Sequence, residues 1–200
     1  MESIIDKFRR NVTVFDDDFD MIFPEDVREY SNRHYTSVFL AQKAAQFLVQ
    51  DKNDAILDIG SGTGKFCLVG ALTTNGHFTG VEYRKYQSDI ARNVAQNYSI
   101  SNVEFIHANI LDVPFDEFTG FYMFNPFLEQ IDRTAKMDGL IKDDAENYTL
   151  FNEYVQSELM KKEIGTRLVS YYVPIIQIPD CFQQVDSFFG GTFCFWEKVY

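Results

Sequence analysis

The sequence predicts an α/β fold: a doubly wound, mostly parallel sheet of seven strands, closed by a C-terminal antiparallel hairpin, with helices on both faces. Three observations carry this expectation. From Tyr35 onward, short apolar runs of strand length alternate with stretches of helical spacing, the pattern of parallel strands joined by right-handed crossovers. The runs are apolar throughout rather than at every second residue, as strands buried on both faces are. Near the end, two further apolar runs are separated by Gly190-Gly191, a two-residue hairpin signal.

Taken in order, the first helix spans Tyr35 to Gln50, with Thr36 or Ser37 as its N-cap and Val38, Leu40, Ala44 and Leu48 at helical spacing. The turn Asp51 to Asp54 leads into the strand Ala55–Ile59, and the glycine-rich loop Gly60-Ser61-Gly62-Thr63-Gly64 follows it directly. A helix over Lys65 to Leu72 and the turn Asn75-Gly76 precede the strand His77 to Glu82. Helical spacing returns from Arg84 to Asn97, then come strands at Asn102 to Ala108 and Phe118 to Phe124. Asp143 to Ile164 reads as one long helix with Leu150, Phe151, Tyr154, Val155 and Leu159 inward, ended by Gly165. The last strands are Thr166 to Val173, Gln183 to Phe189 and Thr192 to Val199. The five prolines sit at turn or strand-end positions.

A chain of 200 residues, 46% hydrophobic and 16% aromatic, can bury the core of one domain. That domain is placed at 35–200, with an acidic lead-in over 1–34 packing on it. The acids Asp16, Asp17, Asp18, Asp20, Glu25, Asp26 and Glu29 read there as a solvated stretch. With 18 Lys and Arg against 30 Asp and Glu, the net charge of −12 repels a phosphate backbone, and no basic run is longer than Arg9-Arg10 or Lys161-Lys162. A nucleic-acid partner is therefore not expected. No apolar run approaches the roughly 20 residues of a membrane-spanning helix, so no membrane partner is expected. The opening residues lack the apolar stretch of a secretory leader, which places the chain in the cytoplasm. Cys67, Cys181 and Cys194 are widely spaced, form no metal-binding cluster, and read as buried apolar side chains.

A strand ending in Asp58-Ile59-Gly60-Ser61-Gly62-Thr63-Gly64 brings bare backbone close to a ligand, since glycines remove the Cβ atoms that would block it. Loops that bind a dinucleotide pyrophosphate use G-x-G-x-x-G; here the spacing is G-x-G-x-G, and the Asp58 carboxylate would repel a pyrophosphate but welcome a cation. The segment Ile56 to Gly64 resembles the first motif of the Rossmann-like S-adenosylmethionine methyltransferases. In that family the loop wraps the methionine moiety, and the acid ending the second strand bonds both ribose hydroxyls. The resemblance makes Glu82, in Gly80-Val81-Glu82-Tyr83, that acid. A carboxylate is acceptor-only and can take two hydroxyl protons at once.

The same resemblance implies an adenine site at Asn109 and Ile110, where Asn109 replaces the family's usual acid and Asp112 competes for the role. It implies an acceptor-side loop at Phe124-Asn125-Pro126-Phe127, which has one proline fewer than the motif of enzymes acting on planar nitrogens. Ala55 to Asp132 is also similar to the histone lysine methyltransferases that lack a SET domain. The implied cofactor contacts are Tyr35, Thr36, Asp58, Gly60, Ser61, Gly62, Gly64, Glu82, Tyr83, Asn109, Ile110 and Asn125, with S-adenosyl-L-methionine as cofactor and S-adenosyl-L-homocysteine as product. Asn125 is the candidate catalytic residue, although a turn before Pro126 accounts for it too, and Thr36 is equally explained as a cap. Pro126 should hold Asn125 extended, leaving its side chain and carbonyl free to face the ligand. His34 and His107, with no titrating partner visible in sequence, are assigned no role. Most of the aromatic residues read as core, with one or two left to cage an acceptor. The implied reaction is metal-independent transfer of a methyl group to a small molecule or protein side chain. The alternatives are a nicotinamide oxidoreductase, which the glycine spacing and Asp58 oppose, and a non-catalytic binding module.

Overall fold

The structure, a computed structural model, describes residues 4–10, 12–28 and 34–200, so Glu29 of the acidic stretch lies outside the described residues. Seven strands form one sheet: β1 (Ala55–Ile59), β2 (His77–Glu82), β3 (Val103–His107), β4 (Gly120–Phe124), β5 (Arg167–Tyr171), β6 (Phe182–Phe188) and β7 (Phe193–Lys198). Their order is β3-β2-β1-β4-β5-β7-β6, parallel from β3 to β5 and antiparallel through β7 and β6. The order reverses beside β1, between β2 and β4, and in open α/β sheets ligands bind at the strands' C-terminal ends at such a point.

Short helices α1 (Ile4–Arg9), α2 (Asp16–Asp20) and α3 (Glu25–Arg28) precede α4 (Val38–Leu48), α5 (Lys65–Thr73), α6 (Lys85–Asn97) and α7 (Ala145–Met160). One face of the sheet packs on the helices α4 to α6 and on Phe8, Phe19 and Phe23 of the N-terminal segment. The other buries Val155 and Leu159 of α7 against Leu57, Phe121 and Leu168. The three cysteines are buried thiols.

Three expectations are corrected. The hairpin link is not Gly190-Gly191 alone: Phe189, Gly190 and Gly191 all carry positive φ in a single turn of 3₁₀ helix, and β6 shifts register between Gln184 and Asp186. This bulge adds twist at the exposed edge of the sheet. The long helix stops at Met160, short of Ile164, and Leu150 points outward at 46% exposure because the helix turns only Phe151, Tyr154, Val155 and Leu159 to the sheet. Asp16 and Asp20 do not lie in solvent. Both pair with Lys65 at 2.7 Å, at the start of α5. Asp16 also accepts the Val38 amide, so it joins α2 to the first turns of α4 and α5.

Candidate functional site

The loop between β1 and α5 turns sharply because Gly60, Gly62 and Gly64 all take positive φ (78°, 55° and 81°), a region that side chains disfavour. The Gly60 and Ser61 amides both donate to the Val81 carbonyl at 2.9 Å, which anchors the loop over β2. A Cβ on Gly60 would lie 2.7 Å from that of Pro126, so the loop touches the segment after β4. A Cβ on Gly64 would lie 2.4 Å from the Phe105 ring, so that glycine serves the packing of α5 on β3.

Glu82 ends β2 and is 6% exposed. Its Oε2 accepts the Gly62 amide at 3.0 Å and its Oε1 the Arg84 amide at 2.7 Å. Burial pushes its carboxyl above the ordinary range, and these two amides pull it back. Asp58, at the end of β1, is buried beside the Cys67 thiol, which donates to Oδ2 at 3.4 Å. Burial raises it to about 8, partly opposed by that thiol and reinforced by the charge of Glu82.

A cavity of about 940 Å³ opens at the C-terminal ends of β1, β2 and β4. Its walls bring together Tyr35, Thr36, Asp58, Gly60, Ser61, Gly62, Glu82, Tyr83, Asn109, Ile110 and Asn125. Gly64 lies outside the walls, beneath Phe105, and neither Asp112 nor His107 lines them. His34 does. Burial lifts the Tyr35 phenol to about 12.

Ser37, not Thr36, caps α4, its Oγ accepting the Leu40 amide; the Thr36 hydroxyl bonds that of Tyr122 in β4. Asn109 Oδ1 accepts the Leu111 amide at 3.1 Å and so caps a short 3₁₀ turn over Ile110–Asp112. Asn125 departs further from expectation. Its backbone is left-handed (φ 37°) rather than extended, and its carbonyl accepts the Leu128 amide at 3.3 Å. Asn tolerates this region better than most residues, and the turn closed by that bond outweighs the preference of a residue before proline for extended backbone.

The sequence offered no sign of several other walls. Arg84 lines the cavity, its Nη2 donating to Glu129 at 2.6 Å and its Nε to Asp138 at 2.9 Å. These carboxylates hold its guanidinium above even its usual range, against the effect of burial. Lys65 and Gln87 also line the cavity, as do parts of the stretch from Leu128 to Asp144. Ion pairs between residues 45 and 54 positions apart leave no local signature to read. Among the described residues, no group of three or more His, Cys, Asp or Glu could hold a metal ion, and no helix is long and apolar enough to cross a membrane.

Comparisons with known proteins identify the family. Residues 50–164 match the profile of the methyltransferase domain family. An O-methyltransferase of Aspergillus nomiae is 27% identical over 106 residues, 52% of this chain and 47% of that protein, so the chain spans about half the length of the curated relative it matches. Two solved structures share the fold. An RNA methyltransferase from Salinibacter ruber, in complex with S-adenosyl-L-homocysteine, gives a TM-score of 0.54 at 20% identity over 81% of this chain and 90% of that one. TrmN from Thermus thermophilus gives 0.58 at 17% identity over 86% and 52%. The profile match covers more than half of the chain and includes the glycine loop, Glu82 and the whole segment from β4 through α7, and the chain therefore belongs to the methyltransferase domain family, with that family's Rossmann-like fold.

Proposed function

We propose that the protein is an S-adenosyl-L-methionine-dependent methyltransferase that acts in the cytoplasm, without a metal ion, on a small molecule or a protein side chain. The observation that carries this reading is the Glu82 carboxylate, buried at a strand end and fixed by a backbone amide of the glycine loop, in the wall of a cavity of about 940 Å³. That volume falls within the roughly 300–1,000 Å³ of small-molecule sites. The residues present fit the cofactor. Glu82 is an acceptor for ribose hydroxyls, and Ser61 Oγ is buried in the wall without a hydrogen-bond partner. Asp58 carries a burial cost that a nearby cation would offset. When bound, the cofactor supplies an electrophilic methyl group on a sulfonium.

The chain's own contribution is positioning and exclusion of water. The closeness of Gly60 to Pro126 sets the glycine loop against the segment that carries Asn125, and Asn125 lines the same cavity, which supports a role for it on the acceptor side. Arg84 clamps the segment after β4 over the cavity. The net charge of −12 favours an acceptor other than RNA. The A. nomiae relative directs a first acceptor screen to hydroxyl compounds alongside amines.

Calorimetry with S-adenosyl-L-homocysteine tests the reading. We expect micromolar binding by the parent and a loss of about 2–3 kcal/mol in Glu82→Ala, from charge-assisted hydrogen bonds given up. No heat from folded parent protein, or stabilisation by a nicotinamide cofactor instead, would overturn it.

A further inference from the structure

One corner of the cavity is built for a positive charge. Gln130 lines it, is 8% exposed, and its Oε1 has no hydrogen-bond partner. A buried acceptor left without a donor destabilises the site, so a ligand that brings an N–H would relieve it. Gln130 is fastened to the start of α7, its backbone carbonyl accepting the Asp144 amide at 2.9 Å. Asp144 and Asp132 line the same cavity. Asp144 Oδ1 accepts the Asn147 amide and its Oδ2 the Asn147 side-chain amide, and Asp132 Oδ1 accepts both the amide and the hydroxyl of Thr134, so both side chains are held as caps. Beside them, Phe127 and Phe151 are paired with ring centroids 5.3 Å apart, and both line the cavity. Ring faces also attract cations.

Elsewhere in the wall Lys65 is paired with Asp16 and Asp20, and Arg84 with Glu129 and Asp138, so these two cations are held by the protein's own carboxylates. Lys142 is the remaining lysine or arginine among the cavity's described walls.

We propose that this corner recognises a protonated amine on a small, aromatic or apolar acceptor molecule, with Gln130 Oε1 receiving an N–H while Asp132 and Asp144 face the charge. Gln130 is thus a specificity-determining residue, and the ammonium is the handle by which the acceptor is held. The inference rests on the methyltransferase reading only in taking this part of the cavity for the acceptor.

The protein, saturated with S-adenosyl-L-homocysteine, is titrated calorimetrically with tyramine, 4-ethylphenol and 4-hydroxyphenylacetate, which carry a cation, no charge and an anion on one ring. Tyramine should bind at least about tenfold more tightly than either of the others. Asp132→Asn with Asp144→Asn keeps both caps, since Asn caps as well as Asp, and should lower tyramine affinity about fivefold or more without changing that for 4-ethylphenol. Gln130→Met should weaken tyramine binding likewise. Equal affinities for the three probes, no binding of tyramine, affinity unmoved by the asparagines, or displacement of tyramine by S-adenosyl-L-homocysteine would each overturn the proposal. If S-adenosyl-L-homocysteine fails to bind while the tyramine preference and its loss in the variants persist, the amine site stands and the methyltransferase reading falls.

Discussion

Asp58 and Glu82 are carboxyl groups in one cavity wall with different surroundings. Glu82 is held by two backbone amides, whereas Asp58 has a weak thiol donor and lies in the field of Glu82. A carboxyl whose folded value is raised binds its proton more tightly in the folded state, so it favours folding at low pH and that contribution is lost as pH rises. For Asp58 the window runs from its ordinary 3.8 to about 8. Asp58→Asn should therefore gain melting temperature relative to the ligand-free parent as pH rises from 4 to 8. One kcal/mol corresponds to roughly 2–4 °C in a chain of this size, so a gain of that order or more is expected at pH 8. Melting curves of the two proteins that stay parallel across that range would show that Asp58 does not carry this cost. The position was legible from its place before the glycines. Its protonation was not, because desolvation depends on what α5 lays over it.

At the scale of elements, the glycine loop and the turn after β4 form one unit. Gly60 leaves room for Pro126, and Asn125 closes its turn through a left-handed backbone. This conformation decides how the Asn125 side chain should be tested. Alanine would add backbone strain of about 1 kcal/mol at positive φ, whereas glycine removes the side chain and keeps the turn. With an acceptor identified by screening, Asn125→Gly should lower the methylation rate about tenfold or more while leaving cofactor affinity within twofold, the pattern of an interaction made on the way to the transition state. Equal turnover in variant and parent would reduce Asn125 to a turn residue. The strand-loop-helix order was legible here, since strand and helix periods differ. The sign of φ at Asn125 was not, because the preference imposed by a following proline competes with a hydrogen bond to Leu128 that exists only once the turn has closed.

For the whole molecule, charge decides which partners are repelled. The chain carries an excess of 12 negative charges. The Salinibacter ruber RNA methyltransferase shares the fold at 20% identity, and shared fold leaves the acceptor open. We expect no submicromolar binding of tRNA or duplex DNA at physiological salt in a gel-shift assay. A salt-sensitive shift at that concentration would reverse the expectation and make RNA the first acceptor to try.

The sequence by itself determined the sheet, its parallel run, the closing antiparallel pair, the glycine loop and Glu82 at a strand end, because these follow from periodicity and from residues adjacent in the chain. Tertiary structure alone decided which distant residues meet: Asp16 and Asp20 with Lys65, Arg84 with Glu129 and Asp138, Thr36 with Tyr122 rather than as a cap. It also decided that Leu150 faces outward and that Gln130 Oε1 is buried without a partner. The physical reason is common to all of these. Local order is written in spacing along the chain, whereas ion pairing, burial and an unsatisfied acceptor depend on where the crossovers of the sheet bring side chains dozens of residues apart.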